Sequence, residues 1–187
     1  VFFIILFTIS YMFGQKEFNI RQLRYIDDTY NVKGQSKPVN GIVYDIKNEK
    51  KIIMGSLKNG KKHGLWTEWH PRGRRLQETY KNGLLDGSVS LFYKNGQREW
   101  RHTYNNGILD GNYNKWHENG KQAVVGFIEN GVTVGIWSWR DKEGKIIKKE
   151  RFKKRTRGIL HGFKEYKDKQ MVFENKNYEL AKQYQLK

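Results

Sequence analysis

Residues 59–144 read NGKKHGLWTEWHPRGRRLQETYKNGLLDGSVSLFYKNGQREWRHTYNNGILDGNYNKWHENGKQAVVGFIENGVTVGIWSWRDKEG. Three glycine columns run through this stretch in register. Gly60, Gly83, Gly107 and Gly131 are spaced by 23, 24 and 24 residues. The same steps separate Gly64, Gly87, Gly111 and Gly135, and again Gly73, Gly96, Gly120 and Gly144. Self-similarity at a fixed period marks a repeat architecture and outranks any local reading. Aromatic residues travel with the glycines: Trp66 and Trp69, Phe92 and Tyr93, Tyr113 and Trp116, Trp137 and Trp139. Weaker copies flank the four strong ones. Asn40-Gly41-Ile42-Val43-Tyr44 precedes them, and Arg157-Gly158-Ile159-Leu160-His161-Gly162-Phe163 keeps the four-residue glycine step. Six units are expected, with the outer two degenerate as the caps of an array are.

Each unit reads as a β-hairpin. The runs between glycines are too short for helices and suit strands, and they carry the aromatic and β-branched residues that strands favour. Asn-Gly and Asp-Gly separate them, the strongest short-range hairpin signal. Glycine is wanted there because such turns require positive φ, and Asn tolerates the same region. The step from 23 to 24 residues is expected to be a bulge or a longer turn. The predicted fold is all-β: an elongated antiparallel meander of tandem hairpins, with a short helix over Tyr178–Leu186.

The chain has 187 residues, 36 Lys plus Arg against 19 Asp plus Glu, a net charge of +17, and 14% aromatics. That aromatic content argues against a disordered polyelectrolyte. With no Cys, disulfide scaffolds, thiol nucleophiles, thiolate zinc sites and Cys-linked lipid anchors are excluded. The sequence begins at Val1, and Val1–Phe13, VFFIILFTISYMF, is uncharged. It is shorter than the ~20 residues that span a bilayer and suits the apolar centre of a secretory signal peptide. The organisation expected is therefore a signal peptide over 1–15, a leader or cap over 16–39, the repeat array over 40–166 and a C-terminal cap over 167–187. Secretion or residence in a periplasm follows.

The repeat period assigns the aromatics Trp66, Trp69, Tyr80, Phe92, Trp100, Tyr104, Tyr113, Trp116 and Trp137 to core-forming columns. Tyr93, Trp100 and Trp139, off register, are the candidate exposed contacts. His70 and His117 occupy equivalent positions two units apart, about 19 Å at strand spacing, too far to share an ion. These, with His63, His102 and His161, are expected to be solvated or edge residues. Asp86 and Asp110 precede Gly87 and Gly111 and are expected in turns, not in acid–base work. No catalytic, metal or cofactor constellation is evident, so no enzyme and no cofactor are expected. The sharpest charge signal is Lys148, Lys149, Arg151, Lys153, Lys154, Arg155 and Arg157. Strands alternate faces, so this run spreads charge over both faces or projects it in a loop. Its targets are an acidic protein or an anionic lipid or glycan, or it protects a sheet edge. Nucleic acid is disfavoured, because no recognition helix is evident.

The pattern Asn-Gly-x-x-x-Gly-x-Trp/Tyr, then an aromatic, then Asn-Gly resembles the MORN repeat, and most closely its bacterial variant, whose members are often labelled antitoxin-like. The resemblance covers about 40–166 and departs from the pattern at Val89, where the other strong units have Trp66, Tyr113 or Trp137. It implies a hairpin solenoid, a binding or scaffolding role and self-association, and it carries over no catalytic residue. Three functions are weighed on these grounds. They are a scaffold for a protein partner, an envelope module holding anionic lipid or glycan through residues 148–157, and an antitoxin-like neutraliser, which the export signal opposes.

Overall fold

The computed structural model describes residues 15–70 and 73–153. The segments expected to form the signal peptide (all but Gln15), the last repeat copy at 157–163 and a C-terminal cap with a short helix lie outside them. The described residues form a long, open, antiparallel β-meander, as the repeat predicts. Its strands are β1 (Glu17–Asn19), β2 (Leu23–Ile26), β3 (Thr29–Val32), β4 (Gly41–Lys47), β5 (Lys50–Lys58), β6 (Lys61–Trp69) and β7 (Arg75–Lys81). They continue as β8 (Leu84–Phe92), β9 (Arg98–Asn105), β10 (Ile108–Leu109), β11 (Gly111–Trp116), β12 (Gln122–Glu129), β13 (Val132–Arg140) and β14 (Ile146–Phe152). From β4 to β14 the strands follow chain order in one sheet, with the short β10 attached to β9. The leader departs from the meander: β1 joins β4 in parallel, and β2–β3 is a separate hairpin. By contact the chain divides into two compact bodies. Of the described residues, one holds 15–67 with Thr79–Leu84, and the other 68–70, 73–78 and 85–153.

Two kinds of turn alternate. At Asn59-Gly60, Asn82-Gly83, Asn106-Gly107 and Asn130-Gly131 both residues have positive φ, 47° to 52° for Asn and 71° to 87° for Gly. That is the two-residue turn whose twist matches a hairpin. Each of these glycines also donates its N–H to the unit before. Gly60 donates to the Val39 carbonyl (2.8 Å), Gly83 to Lys62 (2.9 Å), Gly107 to Leu85 (2.7 Å) and Gly131 to Leu109 (2.7 Å). At the other turns the glycine N–H closes back three residues, Gly96 to Tyr93, Gly120 to His117 and Gly144 to Asp141. Here the Asn side chains reach forward: Asn95 donates to the Glu118 carbonyl (3.0 Å) and Asn119 to Lys142 (2.7 Å). Units are thus tied to their neighbours at both ends of the strands.

The middle glycine column corrects one expectation. Gly64, Gly87 and Gly135 lie inside β6, β8 and β13, and Gly111 opens β11, all at positive φ. They interrupt strands and do not make turns, so Asp86 lies within β8. Asp110 is tied into the ladder, its N–H donating to Thr103 and its carboxylate accepting from the Asn130 N–H at 3.4 Å.

Burial exposes a further column. Gly126 stands opposite Tyr113, and a Cβ there would lie 2.1 Å from the Trp137 indole. A Cβ at Gly55 would lie 2.6 Å from Trp66. The empty position on β12 is what lets the Tyr113 and Trp137 rings approach to 4.9 Å across an intervening strand. Glu78 and His102 fill the same column, each eleven residues before Val89 and Tyr113. The second body's core is Leu76, Val89, Leu91 and Trp100, flanked by Leu85 and Tyr104. Trp69, expected in the core, is 43% exposed, because it lies on the opposite face.

Gly126→Ala is expected to lower the unfolding free energy by about 2 kcal/mol through overpacking. Urea denaturation of a double-mutant cycle with Trp137→Val checks the cause. The double variant should lose at least roughly 1 kcal/mol less than the sum of the single losses. Gly131→Ala, where nothing lies within 4 Å, should show no such coupling.

Candidate binding surface

The pairs β8–β9, β11–β12 and β13–β14 carry one irregular step each, near the turn. Leu91 faces Trp100 while Phe92 faces Arg98, so Glu99 is an extra residue on β9. Ala123 on β12 and Ile147 on β14 are extra in the same way. Such a bulge re-aims the side chains beyond it. It places Arg98 beside Phe92 and keeps Arg101 beside Ser90, so both guanidiniums share one face. Asn114 joins that face, opposite Arg101 from β11.

On this face rings and cations alternate. The Arg75 guanidinium lies 5.5 Å from the ring centre of Trp69 and 4.2 Å from that of Phe92. Arg98 lies 5.6 Å from Phe92 and 5.4 Å from Trp116. The order across the strands is Trp69, Arg75, Phe92, Arg98, Trp116. Each contact is within cation–π range and contributes about 0.5–1 kcal/mol where exposed. The ladder stops where Gln122 faces Trp116. In the next hairpin Arg140 and Ile146 hold the equivalent places.

Among the described residues no carboxylate pairs with Arg75, Arg98 or Arg101. Arg98 and Arg101 are exposed, and Arg75 Nε is buried with no hydrogen-bond partner. The neighbouring Arg74 differs, pairing with Glu99 at 3.3 Å. Burial pushes the Glu99 carboxyl up, and Arg74 opposes that shift.

The other face carries a continuous ring column. Trp100 and His102 stack at 4.5 Å and 15°, His102 and Tyr113 at 4.5 Å and 22°. Trp137 follows, with Trp139 at 6.2 Å and Phe152 at 6.1 Å. Burial between two rings disfavours the imidazolium, and Lys115 adds to the effect. Together they lower the His102 pKa from 6.5 to about 4.

The residues singled out from sequence divide accordingly. Trp100 is not an exposed contact but 7% exposed, since it shares a face with the Leu76–Val89–Leu91 core. Tyr93 is half-buried, its hydroxyl donating to the Trp116 carbonyl at 2.9 Å. Trp139 is half-buried under the Lys148 ammonium, 4.5 Å from its ring centre. His70 and His102 are buried, contrary to the expectation of solvated histidines. His117 is half-buried, with Nε2 at 2.9 Å from the Arg140 carbonyl. His161 lies outside the described residues.

The basic run does split between faces. Lys148 opposes Trp139 and pairs with Glu150 at 2.6 Å, while Lys149 opposes Ser138 and Arg151 opposes Ile136. Lys153 follows β14, and Lys154, Arg155 and Arg157 lie outside the described residues. Sequence reading passed over Arg75 and Arg98, although each follows an aromatic of the ladder by six residues. No protein-family model matches this chain, and no curated protein matches it in sequence.

The lowered His102 pKa fixes the sign of a pH effect. The unfolded chain takes up this proton first, so the contribution is complete above about pH 6.5 and is lost as pH falls toward 4. It amounts to roughly 3 kcal/mol. Denaturation at neutral pH and near pH 4 should show wild type losing about that much more than His102→Phe, which keeps the ring stack without the titration.

Proposed function

We propose that this chain is an exported, non-enzymatic binding module of the MORN-repeat type that holds a protein partner on its repeat surface. The observation that carries this reading is the ladder of Trp69, Arg75, Phe92, Arg98 and Trp116, with guanidiniums that no described carboxylate neutralises. Aromatic and arginine side chains are what interface hot spots favour. A guanidinium against an aromatic ring keeps its full charge and N–H donors for a carboxylate. The glycine-anchored turns keep the ladder rungs at strand spacing, which supports a preformed surface. The apolar segment Val1–Phe13 supports export.

A second reading has its own observation. On one face of β13–β14, Ile136 is 56% and Ile146 42% exposed, in rows with Arg151 and Arg140. Lys149 stands between them opposite Ser138. Exposed isoleucines among cations suit an anionic lipid surface, where each basic residue contributes about 1 kcal/mol.

Capture from envelope extract separates the two. Wild type is expected to retain one stoichiometric protein through a high-salt wash, and an Arg75→Gln/Arg98→Gln variant to lose it. Retention by the variant sinks the ladder reading. Sedimentation with phosphatidylglycerol vesicles that fails in high salt and in Lys149→Gln/Arg151→Gln selects the lipid reading instead.

A further inference from the structure

We infer that the segment held by the ladder is an acidic peptide in the extended polyproline II conformation, with carboxylates three residues apart. This rests on the reading of that face as the partner-binding surface and adds the partner's chemistry. Charge comes first. Arg75, Arg98 and Arg101 share one face of a chain with net charge +17, and no described carboxylate meets them. Rings on both sides hold the Arg75 and Arg98 guanidiniums in place. A guanidinium so placed, with its charge unpaired, has N–H donors for a carboxylate, and bidentate pairing is the geometry that arginine favours. Beside the ladder, Asn114 stands opposite Arg101 and adds a neutral donor.

Spacing selects the conformation. Arg75 stands on β7 and Arg98 on β9, with β8 between them. Two strand spacings are about 9.6 Å. A polyproline II helix rises about 3.1 Å per residue with three residues per turn, so every third side chain returns to one face after about 9.3 Å. A β-strand repeats a face after about 6.8 Å. An α-helix gives about 5 Å at neighbouring positions or about 10.5 Å after seven residues. Trp69 and Trp116 stand beyond the two cations on either side, and aromatic rungs are what proline-rich segments dock against. A membrane is the poorer occupant of this face, because Phe92 is buried between the guanidiniums and does not project.

Calorimetric titration of the full chain tests this with synthetic peptides. One has four Pro-Pro-Glu triplets, and one has the same composition with its glutamates in a single block. A third is helical, with Glu at every seventh position. The triplet peptide is expected to bind roughly tenfold tighter than the block peptide, the scale of one charge-assisted hydrogen-bonded pair. Arg98→Gln should abolish that advantage, and Arg98→Lys should recover only part of it, since an ammonium has no fork. Arg98 is exposed, and circular dichroism checks that both variants fold. Equal binding of the triplet and block peptides overturns the inference. So does preference for the helical peptide, an advantage that survives Arg98→Gln, or displacement of the triplet peptide by phosphatidylglycerol vesicles through the same arginines. If capture of the partner still depends on Arg75 and Arg98 while the triplet peptide shows no advantage, the partner-binding reading stands and this inference falls.

Discussion

The array depends on a pair of left-handed residues repeated every unit. At 59–60, 82–83, 106–107 and 130–131 both backbone φ angles are positive. The left-handed conformation costs a residue with a Cβ about 1–2 kcal/mol. Asparagine reduces that cost by local hydrogen bonding, and glycine escapes it. The two-residue turn then leaves no slack in the loop, so the register of each hairpin is fixed at its tip. The same glycine N–H donates to the preceding unit. One residue therefore sets both the hairpin and its attachment, and every column of side chains inherits its alignment from that bond.

That explains which parts of the structure were legible in the sequence. Three columns of glycine disclosed the strands, because each marks a backbone conformation that other residues resist. What glycine does not disclose is whether it lies in a turn or a strand. Gly87 and Gly135 have the same sign of φ as the turn glycines but sit inside β8 and β13. The faces were less legible still. One extra residue, Glu99, shifts the parity of β9 between Arg98 and Arg101. A simple alternation puts those arginines on opposite faces, while the bulge puts them on the same one. Trp100 departs from the glycine register, yet that departure does not decide exposure. Its partners are fixed by strand pairing, and it packs with Leu76, Val89 and Leu91.

Gly55 and Gly126 carried a signal that the turn glycines masked. They stand in register with Glu78 and His102, each eleven residues before Trp66, Val89, Tyr113 or Trp137. The two tryptophans coincide with the two glycines. Size is exchanged within the pair: a bicyclic ring where the neighbouring strand has no side chain, and a smaller residue where it has one. Packing density forces such exchanges, because a filled interior accepts extra volume only where volume has been removed. Val89, an irregularity beside the aromatic pattern, is the counterpart of Glu78 in this series.

The two faces use aromatic rings for opposite ends. On one, rings meet rings, and the titratable member, His102, is held neutral by burial. Nothing there requires a partner from outside. On the other, rings meet guanidiniums, which cannot be neutralised by losing a proton. The rings hold the Arg75 and Arg98 guanidiniums at cation–π distance but leave their charge in place. The acidic residue nearest by sequence, Glu99, is engaged by Arg74. A surface that holds its cations between rings, with no described carboxylate paired to them, has met part of the ordering cost of binding an anion before the anion arrives. Self-neutralisation would have served stability better, and preorganisation serves recognition. Under the proposed reading of this face, the ladder meets the requirement of the second.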